Sequence, residues 1–323
     1  LGKDVAQEVL SKLFQQVVGE EVANLGFDYV NGTRATLEPL RELLDRYTDD
    51  FMPDLHVEWD DISIDTLLAQ NDLETRWKFN IPSLCTVVEG VNAGHLVEIG
   101  ARSNVGKTSF HASMIASPKG FAAQGANCMV LCNEEGSPRV GARYLQACTG
   151  MSLMQIKENP KAAWDMYGKI RDNIFLKDVT GKDMGWVESV CKSYKPDIVV
   201  LDMGDKFATT QGFARTDEAL KANVVYARQI AKMYECAMFY MSQLSADAEG
   251  KIQLNQAMME GSRTGKAAEA DLMILIAKNP PVDGVDGEEE STQRHLNVVK
   301  NKLSGWHGRI ICELDYRTAR YTA

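Results

Sequence analysis

The chain has 323 residues, of which 45% are hydrophobic and 25% are charged, and it carries a formal net charge of −10. A chain of this length can bury a full hydrophobic core, and its acidity argues against a protein that coats DNA with its outer surface. It contains no run of about 18 apolar residues and does not open with a signal peptide, so we expect a cytoplasmic protein without a membrane partner.

The negative charge is concentrated in the N-terminal part of the chain. Residues 1–90 contain 7 Lys and Arg against 18 Asp and Glu, whereas residues 91–323 contain 28 against 27. In the first part, apolar residues at helical spacing predict one helix over Asp4–Val18 and a second helix after Thr36, which is a suitable N-cap residue.

A change of pattern follows these two predicted helices. The acidic stretch 49–61 is typical of a linker, and the spacing over Ile62–Gln70 predicts a short helix whose apolar side needs a partner. We therefore predict an acidic helical region with its linker (1–60), an interface or linker segment (61–80) and a main domain (81–323).

From about residue 81 onward, apolar runs of strand type alternate with segments of helix type. Short apolar strands separated by helices predict a largely parallel sheet that is covered on both faces, so the fold class is α/β. The predicted strands cover Leu96–Ile99, Cys128–Cys132, Ile174–Leu176, Ile198–Leu201, Ala237–Met241, Leu272–Ala277, Leu296–Val299 and Ile310–Leu314.

A complete phosphate-loop pattern, GxxxxGK[ST], runs from Gly100 to Thr108 between a predicted strand and a predicted helix. Backbone amides of such a loop and the N-terminal end of its helix bind phosphate oxygens, so we predict ATP or another NTP as ligand. Lys107 is expected to reach the β- and γ-phosphates, and Thr108 to ligate Mg²⁺. The alternative is a glycine-rich turn with an exposed lysine. The predicted nucleotide-binding residues are Gly100, Ser103, Asn104, Val105, Gly106, Lys107, Thr108 and Ser109.

Acidic residues follow two other predicted strands. Asp202 comes at the carboxyl end of a central strand and is predicted to hold Mg²⁺ through water, the alternative being a simple strand-end turn. Glu134 and Glu135 follow the strand Cys128–Cys132, where a carboxylate can orient and deprotonate an attacking water. We predict Glu134 as this base in preference to Glu135, with a solvated loop acid as the alternative.

In their order and spacing, these features and several later segments resemble the RecA-like domain of DnaB-type hexameric replicative helicases, with bacteriophage ring helicases the most similar. The later segments are Met241-Ser-Gln243, Gly261-Ser262, Ala270-Asp271-Leu272 and Lys300-Asn-Lys302. The resemblance extends from about residue 75 to the C-terminus. It implies a RecA-like fold and an ATP-dependent DNA helicase that translocates on single-stranded DNA as a homohexameric ring, with primase and polymerase as further partners.

The resemblance also implies roles for single residues. Gln243 matches the polar sensor that couples the γ-phosphate to the DNA loops, and Lys300 and Lys302 match the pair that reaches into the ATP site of the neighbouring subunit. The family usually has Arg at the position of Lys302, and Lys offers a point charge in place of a planar fork of donors. The residue that acts on the neighbour is therefore Lys302, Lys300 or the nearby Arg309. The alternative for the two lysines is that they are solvent-exposed residues at a strand edge.

By resemblance, two loops face a central pore: the first basic loop, residues 206–216, and the second basic loop, residues 246–266. Basic residues on such loops predict sequence-independent, salt-sensitive binding of one strand through its phosphates. The candidate DNA-binding residues are Lys206, Arg215, Lys251, Arg263 and Lys266, although exposed loop lysines are common on any protein. Two other functions stay open: a RecA- or RadA-type recombinase that forms a filament, and a KaiC-type regulatory ATPase that does not bind DNA.

Overall fold

The computed structural model of the chain describes residues 2–33, 36–50, 75–209, 215–261, 263–280 and 291–322. These residues belong to two compact units, Leu1–Leu73 and Glu74–Ala323. Among the described residues, no helix combines the length and apolarity needed to cross a membrane.

The described residues of the first unit form two helices, α1 (Gly2–Val30) and α2 (Glu38–Asp50). Helix α1 continues past the predicted end at Val18, and it stops before Gly32, whose φ of 72° favours glycine and ends the helix. Both predicted helices are confirmed in position. The predicted helix Ile62–Gln70 and most of the predicted acidic linker lie outside the described residues.

The second unit opens with a small antiparallel pair, β1 (Trp77–Lys78) and β2 (Gly90–Val91), joined by helix α3 (Pro82–Val88). The predicted start of the main domain at residue 81 omits β1, because a strand of two residues has no readable period. The main strands are β3 (Leu96–Ala101), β4 (Cys128–Cys132), β5 (Ile174–Asp178), β6 (Ile198–Asp202), β7 (Ala237–Gln243), β8 (Leu272–Lys278), β9 (Gln293–Asn301), β10 (Gly308–Asp315) and β11 (Arg320–Thr322). The remaining helices are α4 (Lys107–Ala116), α5 (Ser137–Thr149), α6 (Leu153–Glu158), α7 (Pro160–Tyr167), α8 (Met184–Tyr194), α9 (Thr216–Met233) and α10 (Arg263–Glu269).

The nine main strands form one sheet in the order β11-β10-β9-β8-β3-β7-β6-β4-β5. The pairs from β8 to β5 are parallel, whereas β9, β10 and β11 join the sheet through antiparallel pairs. All eight predicted strands and the mostly parallel α/β sheet are confirmed. Strands β4 and β6 are buried throughout, as parallel strands covered on both faces must be. Strand β10 alternates between exposed and buried residues, which is typical of an antiparallel strand with one wet face.

Two hydrophobic clusters cover opposite faces of the sheet. Alternate strand residues, such as Val97 and Ile99 of β3, pack with α4 and α5 in one cluster. Their neighbours, such as Leu96 of β3, pack with α8 and α9 in the other. This two-sided packing fixes the sheet rigidly, and it leaves the carboxyl ends of β3, β7, β6 and β4 side by side at one edge.

Candidate nucleotide site and basic loops

A cleft of about 390 Å³ lies at this edge of the sheet. Its walls come from the loop after β3, the end of β7, the segment after β4 and the turn between β10 and β11. The lining residues are Arg102, Ser103, Asn104, Gly106, Lys107, Thr108, Ser109, Glu134, Glu135, Arg143, Gln243 and Tyr316.

The phosphate loop forms the floor of the cleft, and glycine is required at two of its positions for different structural reasons. Gly106 has a φ of 109° and directly precedes α4, and a Cβ at this position would lie 2.5 Å from Leu314 Cδ2. A Cβ on Gly100 would lie 2.7 Å from Leu275 Cδ2, so Gly100 allows β3 and β8 to pack closely. Six of the eight predicted binding residues line the cleft, and Gly100 and Val105 do not. Val105 is buried in the core, and its carbonyl accepts a hydrogen bond from Arg294 Nε at 2.7 Å.

Lys107 begins α4 and is held under the cleft rather than in open solvent. Its side chain is 10% exposed, its Nζ lies 3.6 Å from Glu134 Oε2, and it also contacts the sulfur of Met203. Burial lowers the pKa of Lys107, and the nearby carboxylates of Glu134, Asp202 and Asp205 oppose that shift. The Lys107 ammonium is thereby held at the phosphate loop, beside Glu134.

Asp202 ends β6 and is fully buried, and neither of its carboxylate oxygens has a hydrogen-bond partner. His111 of α4 lies beside this carboxylate, with its Nε2 3.7 Å from Oδ2 and its Nδ1 2.9 Å from the hydroxyl of Tyr144. Burial raises the pKa of Asp202, but His111, Lys107 and Arg143 outweigh it and the net shift is downward. Two buried carboxylate oxygens without a hydrogen-bond partner have the chemistry that suits a divalent cation, which prefers oxygen ligands, and the Thr108 side chain lines the cleft.

The structure distinguishes the two glutamates that follow β4. Glu135 accepts two hydrogen bonds from Arg143, at 2.6 and 3.1 Å, and an ion contact from Arg139 at 3.2 Å. Glu134 instead lies between two lysines, with Lys107 at 3.6 Å and Lys206 at 3.8 Å. Because Glu135 is held by arginines, this geometry supports Glu134 as the group that faces a reacting water.

Gln243 ends β7 beside the phosphate loop, and its amide donates a hydrogen bond to Ser103 Oγ at 3.3 Å. The candidates for action on a neighbouring subunit lie elsewhere. Lys302 and Arg309 are exposed, and neither lines the cleft of its own chain. Lys300 donates to the carbonyl oxygens of Ala267 and Ala268 within its own chain.

The five candidate DNA-binding residues have different environments. Lys206 lies beside Glu134 and is 47% exposed, Arg215 forms a two-pronged pair with Asp217, and Lys251 is exposed. Arg263 begins α10, and its side chain lies outside the described residues.

Lys266 contradicts its prediction as an open loop cation. The predicted loop 246–266 contains two short 3₁₀ turns and the start of α10, and Lys266 lies on that helix with an exposure of 0%. Its ammonium pairs with Asp205 at 2.6 Å inside the protein. A side chain without accessible surface cannot contact DNA, so we remove Lys266 from the DNA-binding set.

Several residues of the site were missed by sequence reasoning. His111 follows Lys107 by four positions on a helix, so the pattern could have placed both on one face. Arg143 and Tyr316 carry no such signal. Arg143 lines the cleft and pairs with Glu135. Tyr316 lies in the turn between β10 and β11, more than two hundred residues along the chain from the phosphate loop. The Arg294 guanidinium lies 5.0 Å from the centre of its ring.

Known proteins resemble this chain at the level of family and of fold. The family model described as DnaB-like helicase C-terminal domain matches residues 78–322. The solved ATPase domain of a phage helicase is similar over 81% of this chain and 99% of its own length, with a TM-score of 0.67 and 18% identity. A DnaB-like replicative helicase, described together with its interactions with primase, is similar over 99% of this chain and 78% of its own length, with a TM-score of 0.65 and 16% identity. No curated protein matches the sequence.

Proposed function

This chain belongs to the family of DnaB-like helicase C-terminal domains, which are NTP-hydrolysing DNA helicases, and we propose from that premise that it moves along single-stranded DNA as a ring. The observation that carries the proposal is the meeting of four strand ends at one edge. The phosphate loop, Gln243, Asp202 and Glu134 follow β3, β7, β6 and β4, which are adjacent in the sheet. The two basic loops leave β6 and β7, so the candidate DNA contacts begin where the nucleotide site ends.

Within one chain, each side chain has a separate task in the hydrolysis of ATP or another NTP. Lys107 places a cation at the β- and γ-phosphates, where negative charge develops. Glu134 orients the attacking water and takes its proton. Thr108 and Asp202 would hold Mg²⁺, which when bound neutralises phosphate charge. Gln243 senses the γ-phosphate from its position against Ser103.

The ring completes the site. Lys302 and Arg309 are exposed and lie outside the cleft of their own chain, so either can reach the cleft of a neighbour in a head-to-tail ring. Arg309 offers the planar fork that suits phosphate oxygens, whereas Lys302 offers a point charge. Lys300 is the weaker candidate, because its ammonium already binds two carbonyl oxygens of its own chain.

Single-stranded DNA binds the basic loops through its phosphates, and Lys206, Arg215, Lys251 and Arg263 form the revised set of contacts. Primase and polymerase complete the list of proposed partners, primase because the similar DnaB-like replicative helicase is described with it. Neither the recombinase nor the regulatory ATPase has an observation in its favour.

A forked DNA substrate tests this function. We expect strand separation that requires NTP and a free 5′ tail, and NTP turnover that rises with single-stranded DNA of any sequence. Apparent DNA affinity should fall steeply with salt, because bound phosphates release counterions. The double variant K251E/R263E should bind DNA more weakly and lose most of the stimulation, whereas K157E/K161E, the same charge change at exposed lysines of α6 and α7, should not.

Two results would contradict the proposal. One is equal stimulation by blunt duplex and by single strands. The other is healthy NTP turnover without strand separation on any forked substrate.

A further inference from the structure

A buried charge cluster lies under the Gln243 end of β7, outside the nucleotide cleft. Its centre is Lys266 of α10, whose side chain is fully buried. The ammonium donates to Asp205 Oδ1 at 2.6 Å and to Ser242 Oγ at 3.2 Å. Lysine is almost never fully buried unless it is paired, so this position needs a reason.

The cluster joins four elements of the fold. Asp205 lies in the short 3₁₀ turn Gly204–Lys206 that follows β6, and Lys266 lies on the helix that ends the second basic loop. Ser242 of β7 donates to Glu98 Oε1 of β3 at 3.0 Å. Burial raises the pKa of Glu98 to about 7, and the attraction of Lys266 opposes that shift.

Gln243 is attached directly to this cluster. Its backbone N–H donates to Asp205 Oδ2 at 3.4 Å, and its side-chain amide donates to Ser103 of the phosphate loop at 3.3 Å. A continuous set of polar contacts therefore runs from α10 through Lys266, Asp205 and Gln243 to the phosphate loop.

Stability alone does not account for these charges. A buried ion pair costs desolvation, and well-packed apolar side chains of similar volume often give equal or greater stability. What a charged pair adds over an apolar contact is a defined geometry between the groups that it joins. Here those groups belong to the two basic loops and to the end of β7.

We propose that Lys266 and Asp205 are positioning residues that hold Gln243 in register with the phosphate loop and transmit displacement of the second basic loop to it. The inference rests on the proposed function in one respect, since it takes Gln243 as the γ-phosphate sensor. Neither residue lines the nucleotide cleft. Both act through Gln243, and a shift of α10 on DNA binding moves Asp205 and Gln243 together.

The test uses the double variant D205N/K266M in the full chain. Each single variant leaves a buried charge without its partner and is expected to fold poorly, whereas the double variant removes both charges and keeps side chains of similar size. We expect a folded protein that binds DNA with nearly wild-type affinity but loses stimulation of turnover at saturating DNA, by roughly 10²-fold, the order of loss when a reacting group is misplaced by about 1 Å. Adding Gln243→Ala should cause no further loss, because the pair acts through that residue.

Two controls separate positioning from other roles. K251M, at an exposed lysine of the same loop, should weaken DNA affinity while stimulation returns at saturating DNA. Hydrogen exchange without nucleotide or DNA should show a faster amide at Gln243 in D205N/K266M, because its acceptor on Asp205 is weakened. This readout does not depend on helicase activity, so it separates failure of this inference from failure of the proposed function.

The inference is overturned by full stimulation in the folded double variant, by additive losses with Gln243→Ala, or by unchanged exchange at Gln243. A loss confined to DNA affinity would also overturn it, since that would make Lys266 a DNA contact. If wild-type protein shows no stimulation by DNA, the proposed function fails, and the exchange measurement still decides whether the pair positions Gln243.

Discussion

The nucleotide cleft and the two basic loops begin at the same strand ends but are built differently. In and under the cleft, side chains of α4 face acids that end or follow separate strands, with Lys107 3.6 Å from Glu134 and His111 3.7 Å from Asp202. In the loops, three of the four described side chains have acidic neighbours within the chain: Lys206 with Glu134, Arg215 with Asp217, and Lys266 with Asp205.

The difference indicates where each function is located. In the proposed function, one chain supplies nearly all of the catalytic groups, so hydrolysis would depend on local geometry. Among the described side chains of the loops, few cations lack an acidic neighbour. Strong binding would then come from repetition of a few contacts around a ring, where effective concentration adds avidity without new contacts.

The largest expected effect comes from a substitution in the nucleotide cleft that leaves the basic loops unchanged. Lys107→Ala should lower NTP turnover by more than about 10²-fold, with and without DNA, because it removes the cation at the developing phosphate charge. Lys206→Ala offers the matched comparison, since both lysines lie within 4 Å of Glu134. We expect Lys206→Ala to reduce mainly the DNA-stimulated part of turnover. Steady-state kinetics of both variants decide the point, and equal losses in the two would erase the distinction between cleft and loop.

A smaller effect separates the two glutamates after β4. Glu134→Gln should keep nucleotide binding and lower hydrolysis by roughly 10²–10⁴-fold, the usual range for a positioned general base. Glu135→Gln serves as its control, because Glu135 is engaged by Arg143 and Arg139 rather than by Lys107. Nucleotide affinity and single-turnover rates should be measured for both. A crippled Glu135→Gln beside an active Glu134→Gln would move the base by one residue.

The sequence predicts the cleft better than the loops, for a physical reason. Spacing in the phosphate loop is tied to backbone geometry, so the pattern from Gly100 to Thr108 is enough to place the loop between a strand and a helix. Acids that end apolar runs, such as Asp202, must emerge at the carboxyl edge of a parallel sheet. For the loops, the residue types indicate only the sign of the charge. The residues next to Lys266 in the sequence do not indicate that Asp205, 61 residues earlier, pairs with it.

The same limit applies to the C-terminal strands and to Tyr316. Apolar runs predict the positions of β9 and β10, but they do not specify the antiparallel pairing of β9 with β8 and β10. Tyr316 reaches the cleft only because β10 and β11 turn back beside the phosphate loop. Such placement depends on long-range pairing, which local patterns do not encode.

The smallest expected effect concerns stability, at the buried carboxyl that lies between the two regions. Burial raises the pKa of Glu98 from 4.5 to about 7, against the opposing effects of Lys266 and Ser242. The folded protein thus holds this proton more tightly than the unfolded chain does. The free energy of unfolding should therefore fall as pH rises from about 4.5 to about 7, and stay lower above that range.

Glu98→Gln removes this titration and keeps an acceptor for the Ser242 hydroxyl. Relative to wild type, the variant should be similar near pH 5 and more stable at pH 8, by up to about 3 kcal/mol, since one pKa unit corresponds to about 1.4 kcal/mol. Urea unfolding from pH 5 to 8 measures the difference, with Glu158→Gln at an exposed position of α6 as the control for loss of one carboxylate. Parallel profiles for wild type and Glu98→Gln would show that the cluster under β7 holds Glu98 charged throughout. The Lys266 ammonium would then lie near two charged carboxylates, those of Asp205 and Glu98. In this respect the buried cluster would resemble the nucleotide cleft, where charged groups also lie close together.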